Sequence, residues 1–347
     1  MGNQFSNITA NDNGTYTSPA YTVSYDLVEV NIEHSPIIAD MLVGFDASEY
    51  PKFKDLGITD YITCWGDSLT AQGGWTTTLA KLTGRTVYNG GTGGENVKTI
   101  VARQGADVMI VNNLTIPADT TPVTIASRET DGGILTEFNN VAMPLLQGGA
   151  HVNPCYIGDI KGTLAWTGSD YADNTGTWTF TRAEVGEAVI IDRPTAIRTD
   201  YDINKNNPYL MIIYIGQNGG YDNLDDLVNK HKLMINHADA KHVIVLGLSS
   251  GTKELRAEYE ARMRAEFGRY FISLREYLSN PIYTDGVITS CYGLDDADLS
   301  PTEEDLTAIA LGQVPPQLLK DAVHYTETCR TVIGNMIYKR CKDLNIF

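Results

Sequence analysis

YITCWGDSLTAQGGW, Tyr61 to Trp75, passes directly from an apolar run into Gly66-Asp67-Ser68-Leu69 and then into small polar residues. An unbroken run of that length, rich in β-branched and aromatic side chains, predicts a strand buried on both faces. Gly66 ends it with a residue suited to a tight turn, and a helix is expected to begin near Gly74. Ser68 therefore falls on a loop at the C-terminal end of a strand, the edge at which open α/β sheets bind their ligands. A serine there is either a nucleophile or part of a helix cap. The residues brought to the same edge decide between the two.

Working outward, residues 86–88, 209–215, 242–248 and 270–274 are further apolar runs of strand length, which makes five in all. Between them Leu255, Tyr259, Met263 and Phe267 recur every four residues, and Leu224, Leu227, His231, Met234 and Ile235 trace a second helical face. Strand alternating with helix predicts an α/β sandwich. From about residue 107 to 206 the pattern changes to threonine-rich alternation such as GTWTFTRA, punctuated by DGG, QGG and TGSD, with no helical stretch of any length. The expected organisation is a β-rich extension over 1–58, an α/β domain made of 59–106 and 207–347, and an inserted β-rich domain over 107–206.

The chain of 347 residues has 43 acidic and 26 basic side chains, a net charge of −17. Such a surface repels phosphate backbones and anionic lipid, and no dense Lys/Arg cluster offers a nucleic-acid footprint. No segment reaches the roughly 20 apolar residues of a membrane span, so neither nucleic acid nor membrane is an expected partner. The five cysteines, at 64, 155, 291, 329 and 341, lack zinc-type spacing, and their odd number argues against a full disulfide framework. Asn7, Asn13 and Asn113 head N-x-T sequons. The first residues, MGNQFSNITANDNG, lack the basic and apolar regions of an intact signal peptide.

Three more stretches bear on Ser68. VYNGGTGGENV, Val87 to Val97, is a strand end followed by a glycine-rich loop, whose backbone amides can approach a ligand closely. A dinucleotide G-x-G-x-x-G read from Gly91 fails at Asn96. MIIYIGQNGGYDN, Met211 to Asn223, delivers Gly216, Gln217 and Asn218 to the same sheet edge, where an amide could donate to an oxyanion. In LKDAVHYTETC, Leu319 to Cys329, Asp321 precedes His324 by three residues, a spacing at which a carboxylate can orient an imidazole.

Taken in order, these four stretches resemble the blocks of the SGNH, or GDSL-type, esterase and lipase family. The resemblance covers residues 61–105 and 209–347. It implies a three-layer α/β/α sandwich with a mostly parallel five-stranded, flavodoxin-like sheet. It further implies Ser68 as nucleophile, His324 as its base and Asp321 as the group that orients His324. The N–H groups of Ser68 and Gly94 and the side-chain amide of Asn218 would bind the oxyanion of an acyl-enzyme mechanism, with no metal or organic cofactor. The family's third block usually reads Gly-x-Asn-Asp, whereas Gly219 follows Asn218 here. Acetyl esters of carbohydrates are a common substrate class of the family. The expectation is therefore a carbohydrate O-acetylesterase, extracellular and bacterial or carried on a phage virion, with Asp67 and Trp166 as substrate-binding candidates.

Two rival readings stand beside it. VLGLSSGT contains Gly247-Leu248-Ser249-Ser250-Gly251, a formal G-x-S-x-G, which would make Ser249 the nucleophile of an α/β-hydrolase with Asp285 or Asp295 and His324. The chain could also be a carbohydrate-binding or virion-surface module without activity. The acidic run LDDADLSPTEED, 294–305, offers Asp295, Asp296 and Asp298 to calcium, but a helix capped at Ser300 or Thr302 with acids in its first turn explains it better. His231, His237 and His242 have no carboxylate spaced for metal ligation. In GTWTFTRA, Trp178 and Phe180 share one face of a strand, and Trp178 is expected in a small β core.

Overall fold

The computed structural model describes residues 59–127, 152–167 and 177–347, together with the short strands Thr9–Ala10, Tyr16–Thr17 and Leu135–Thr136. The chain divides into two compact units, Met1–Gly57 and Ile58–Phe347. In the first, Thr9–Ala10 pairs antiparallel with Tyr16–Thr17; the rest of the extension expected over 1–58 lies outside the described residues.

In the second unit β1 (Ile62–Gly66), β2 (Val87–Gly91), β3 (Leu210–Tyr214), β4 (His242–Leu246) and β5 (Phe271–Ile272) form an all-parallel sheet in the order β5-β4-β3-β1-β2. Every residue of β1 and β3 is buried, as the apolar runs require of strands covered on both faces. Each strand overlaps its predicted run: β3, β4 and β5 are shorter than predicted, β1 is displaced by one residue, and β2 runs three residues further, to Gly91. The helices are α1 (Trp75–Thr83), α2 (Val97–Gln104), α3 (Leu224–Ala238), α4 (Lys253–Phe267) and α5 (Glu327–Asp343). The α5 helix packs on α1, whereas α3 packs against both α2 and α4. Right-handed crossovers account for this division, because the chain moves one way from β1 to β2 and the other way thereafter. Leu255, in the first turn of α4, is 69 % exposed; the buried face of that helix is Tyr259, Glu260 and Met263.

Between α2 and β3 lies a second sheet, antiparallel throughout, in the order 123–127, 177–182, 160–167, 155–157, 195–198, 109–111, 135–136. It has its own apolar cluster, in which Trp178 and Phe180 are buried on one face of their strand as the alternation predicts. Trp166 sits opposite Trp178 with ring centroids 5.5 Å apart, half-buried against that cluster. This sheet belongs to the same compact unit as the parallel one. A short helix, Asp200–Asn204, capped by Thr199, follows its last strand. Sequence reading missed it because five residues are too few to establish a helical period.

Ser68 does not lie in an open loop. It opens a four-residue helix, Ser68–Ala71, capped by Asp67. That short helix is seated on the end of β2: the Asn89 Nδ2 donates to Thr70 O at 2.8 Å, and Asn89 Oδ1 accepts from Gly91 N at 2.9 Å. At Gly91 a Cβ would come within 2.6 Å of the Thr70 carbonyl carbon and still closer to the Ala71 nitrogen, so the approach requires glycine. Gly91→Ala is expected to cost about 1–3 kcal/mol by overpacking against backbone that cannot yield. Urea unfolding checks this, and a variant as stable as the parent would mean that the helix shifts freely.

Candidate active site

The parallel sheet brings the ends of β1, β2 and β3 to one edge, with Gly66 opposite both Gly91 and Tyr214 in register. The segments that follow carry Ser68, at the start of its short helix, Gly94 and Gly216–Asn218. The fourth contribution comes from the segment before α5. Leu319 and Tyr325 form an antiparallel bridge, Lys320 N donates to His324 O at 2.7 Å, and Thr326 caps α5. These bonds close 319–325 into a tight loop.

In that loop His324 Nε2 lies 2.9 Å from Ser68 Oγ, across 256 residues of sequence. Its Nδ1 lies 2.9 Å from Asp321 Oδ2 and 3.1 Å from Oδ1. Asp321 Oδ1 also accepts the backbone N–H of His324 at 2.8 Å and of Val323 at 2.9 Å. Those two N–H groups, together with the imidazole, hold the Asp321 carboxyl down to about 2. An ionised carboxylate only accepts hydrogen bonds, so the imidazole proton sits on Nδ1 and Nε2 is left to accept from the Ser68 hydroxyl. The His324 and Asp321 side chains are 28 % and 51 % exposed, open to an incoming molecule.

The three candidate oxyanion donors, the N–H groups of Ser68 and Gly94 and the side-chain amide of Asn218, follow the ends of β1, β2 and β3. The Asp67 carboxylate takes the N–H of Leu69 at 2.9 Å, and its carbonyl takes those of Thr70 and Ala71; the N–H of Ser68 takes no part in these bonds. Gly94 sits at φ +79°, a left-handed conformation that favours glycine. Asn218 Nδ2 donates one hydrogen to Glu95 O at 2.9 Å, which fixes the amide and leaves its second hydrogen.

Asp67, a substrate-binding candidate, is 1 % exposed and serves as the helix cap. Burial pushes its carboxyl up to about 6, against the pull of the Leu69 N–H and of His324. Trp166 belongs to the antiparallel sheet and its apolar cluster. Ser249, the rival nucleophile, is buried: Tyr325 donates a short hydrogen bond to its hydroxyl, Tyr214 Oη lies at 3.5 Å, and the two tyrosine hydroxyls are 2.8 Å apart. Asp285 is in the exposed turn between the strands Pro281–Thr284 and Val287–Cys291, and Asp295 is exposed in the helix Tyr292–Asp295. Among these candidates the structure thus brings Ser68, and not Ser249, to His324.

Elsewhere, Thr302 caps the helix Glu303–Ala310 in a capping box with Asp305, the arrangement read from the acidic run. Among the described residues no group of His, Cys, Asp and Glu is clustered to hold a metal ion. His237 has a carboxylate partner that spacing did not reveal, Asp202 at 2.8 Å. Glu95 and Arg103, which form a buried ion pair beside Asn218, were also missed; their only sequence signal is a spacing of eight residues in which two unlike charges face across one helix start. All five cysteines are buried free thiols. The chain matches no protein-family model and no curated protein.

Burial of Asp67 and of Ser249 has measurable consequences. With Asp67 raised from 3.8 to about 6, the folded protein keeps a proton that the unfolded chain has lost, so stability falls as pH rises through that window and the penalty is complete above it. Asp67→Asn keeps an acceptor for Leu69, and its stability relative to the parent is expected to improve by about 1–3 kcal/mol between pH 4 and pH 7. A pH-independent difference in denaturation midpoint would refute it. Ser249→Ala is expected to lose about 1–2 kcal/mol of stability, read from the urea denaturation midpoint, because the Tyr325 hydroxyl loses its acceptor. A variant as stable as the parent would mean that Tyr325 finds another acceptor.

Proposed function

We propose that this chain is a serine esterase of SGNH type that hydrolyses small acyl esters, acetyl groups on carbohydrate being the substrate class favoured by the resemblance. The observation that carries the reading is the continuous relay from Ser68 through His324 to Asp321, at 2.9 Å on either side of the imidazole. The strand order of the parallel sheet, 2-1-3-4-5 in chain order, supports a flavodoxin-like SGNH fold, with the site at the switch point between β1 and β3.

In the proposed reaction, Ser68 Oγ attacks the ester carbonyl while His324 Nε2 takes its proton. Asp321 keeps the imidazole in the required tautomer and stabilises the imidazolium as it forms. The carbonyl oxygen becomes an oxyanion, met by the N–H groups of Ser68 and Gly94 and by the second amide hydrogen of Asn218. The imidazolium protonates the leaving alcohol, and an acyl-serine remains. Water, deprotonated by the same imidazole, then releases the acid and restores Ser68. The antiparallel sheet between α2 and β3 is the proposed source of selectivity for the alcohol. The exposed part of Trp166 is its candidate for stacking on a sugar ring.

Ser68→Ala is expected to lower kcat on a chromogenic acetate by roughly 10⁴–10⁶ with the fold intact. Far-ultraviolet circular dichroism and initial rates check this together. A folded variant with full activity would overturn the assignment of Ser68 and, with it, the family reading.

A further inference from the structure

The proposed oxyanion donors are held by a charge pair that takes no part in the proposed chemistry. The Glu95 carbonyl, one residue beyond Gly94, accepts the Asn218 amide at 2.9 Å. Val97 N donates to Gly219 O at 3.0 Å, so the second and third loops are joined twice. The Glu95 side chain turns inward to Arg103 on α2. Arg103 Nε lies 3.1 and 2.9 Å from the two carboxylate oxygens and Nη2 lies 2.6 Å from one of them; both side chains are 1 % exposed. Nη1 has no hydrogen-bond partner, and the guanidinium lies 5.2 Å from the Trp65 ring, one residue before Gly66.

Desolvating two charges costs about as much as their attraction returns, so a pair this deeply buried adds little that well-packed apolar side chains would not. What it supplies is direction. A planar guanidinium gripping a carboxylate through two nitrogens fixes Glu95 in position and orientation, and so fixes the carbonyl that aims Asn218. The capping box of Asn96 and Thr99 secures the helix start from which Arg103 reaches back. The Arg103 carbonyl accepts Thr199 Oγ1 at 2.8 Å, which ties the exit of the antiparallel sheet to the same point.

We propose that Glu95, anchored by Arg103, is a positioning residue of the oxyanion hole that acts through Asn218. This rests on the esterase reading above. Oxyanion donors contribute mainly where charge develops, so loosening their support lowers kcat and leaves KM nearly unchanged.

The test compares the full-length protein with a variant in which Glu95→Met and Arg103→Met are made together. This removes both charges at similar volume and leaves no orphaned ion in the core. On a chromogenic acetate, kcat is expected to fall about tenfold with KM within about twofold. In an Asn218→Ala background the same pair of changes is expected to lower kcat by less than about twofold, because the group it positions is gone. An unchanged kcat, or an equal loss with and without Asn218, overturns the proposal. If the apolar pair does not fold, Arg103→Lys, which keeps the charge and loses the two-nitrogen grip, is carried through the same comparison: a loss of kcat that disappears without Asn218 supports the proposal, and an unchanged kcat or an equal loss overturns it. Ser68→Ala, measured alongside, separates the levels: a fully active Ser68→Ala removes the esterase reading itself. An inactive Ser68→Ala beside a pair variant with unchanged kcat removes only the role of Glu95.

Discussion

β1 is hydrogen-bonded on both sides by parallel strands in matched register, and the geometry of the candidate site depends on that pairing. Gly66 lies level with Gly91 on one side and with Tyr214 on the other, so three loops leave the sheet from one height. A one-residue slip would turn every side chain of a buried strand to the opposite face, and both faces of β1 and β3 are packed. The register is therefore held by the whole core, including Ile62, Cys64, Ile212 and Ile213. Because the chain reverses its direction of travel at β1, the switch point of the sheet lies beside the same strand that delivers Ser68.

Above the sheet, polar bonds take over from apolar packing. The loop with Asp321 and His324 is half-exposed, anchored on the core by Leu319, Val323 and Tyr325. Backbone bonds across 319–325 close it, and Arg330 on α5 reaches both Gln72 Oε1 at 3.2 Å and Tyr325 O at 3.1 Å. One guanidinium thus ties the helix that follows His324 to the short helix that presents Ser68. Beneath, the hydroxyls of Tyr214, Ser249 and Tyr325 bond to one another in the core, joining the end of β3 to the residue after His324. Such groups tolerate burial only when all of them find partners, so the cluster holds its members in one arrangement.

The two sheets obey different rules because their surroundings differ. The central strands of the parallel sheet, β1 and β3, are covered on both faces and predominantly apolar. The antiparallel sheet buries one face, and its strands alternate, as in Thr177–Arg182 with Trp178 and Phe180 inward. Its exit through Thr199 and Tyr201 returns to Arg103 and Trp65, the latter 4.6 Å from the Tyr201 ring. The sheet is thereby tied to the base of the proposed oxyanion loop.

Local sequence determined the parallel strands, the main helices, the alternation in the second sheet and the proximity of Asp321 to His324. Each is written in a short window: a buried strand must be apolar, a helix repeats every three to four residues, and Asp321 and His324 stand three apart. Only the tertiary structure decided which serine meets His324. Gly-Asp-Ser-Leu and Gly-Leu-Ser-Ser-Gly both follow strands, and the choice turned on Ser68 lying at the edge while Ser249 is enclosed by two tyrosines. The pairings of Glu95 with Arg103 and of His237 with Asp202 were likewise decided in three dimensions. Ion pairs and buried hydroxyls have no sequence period, since their partners are chosen by how the elements pack and by the cost of leaving a charge or a donor unpaired once water is gone.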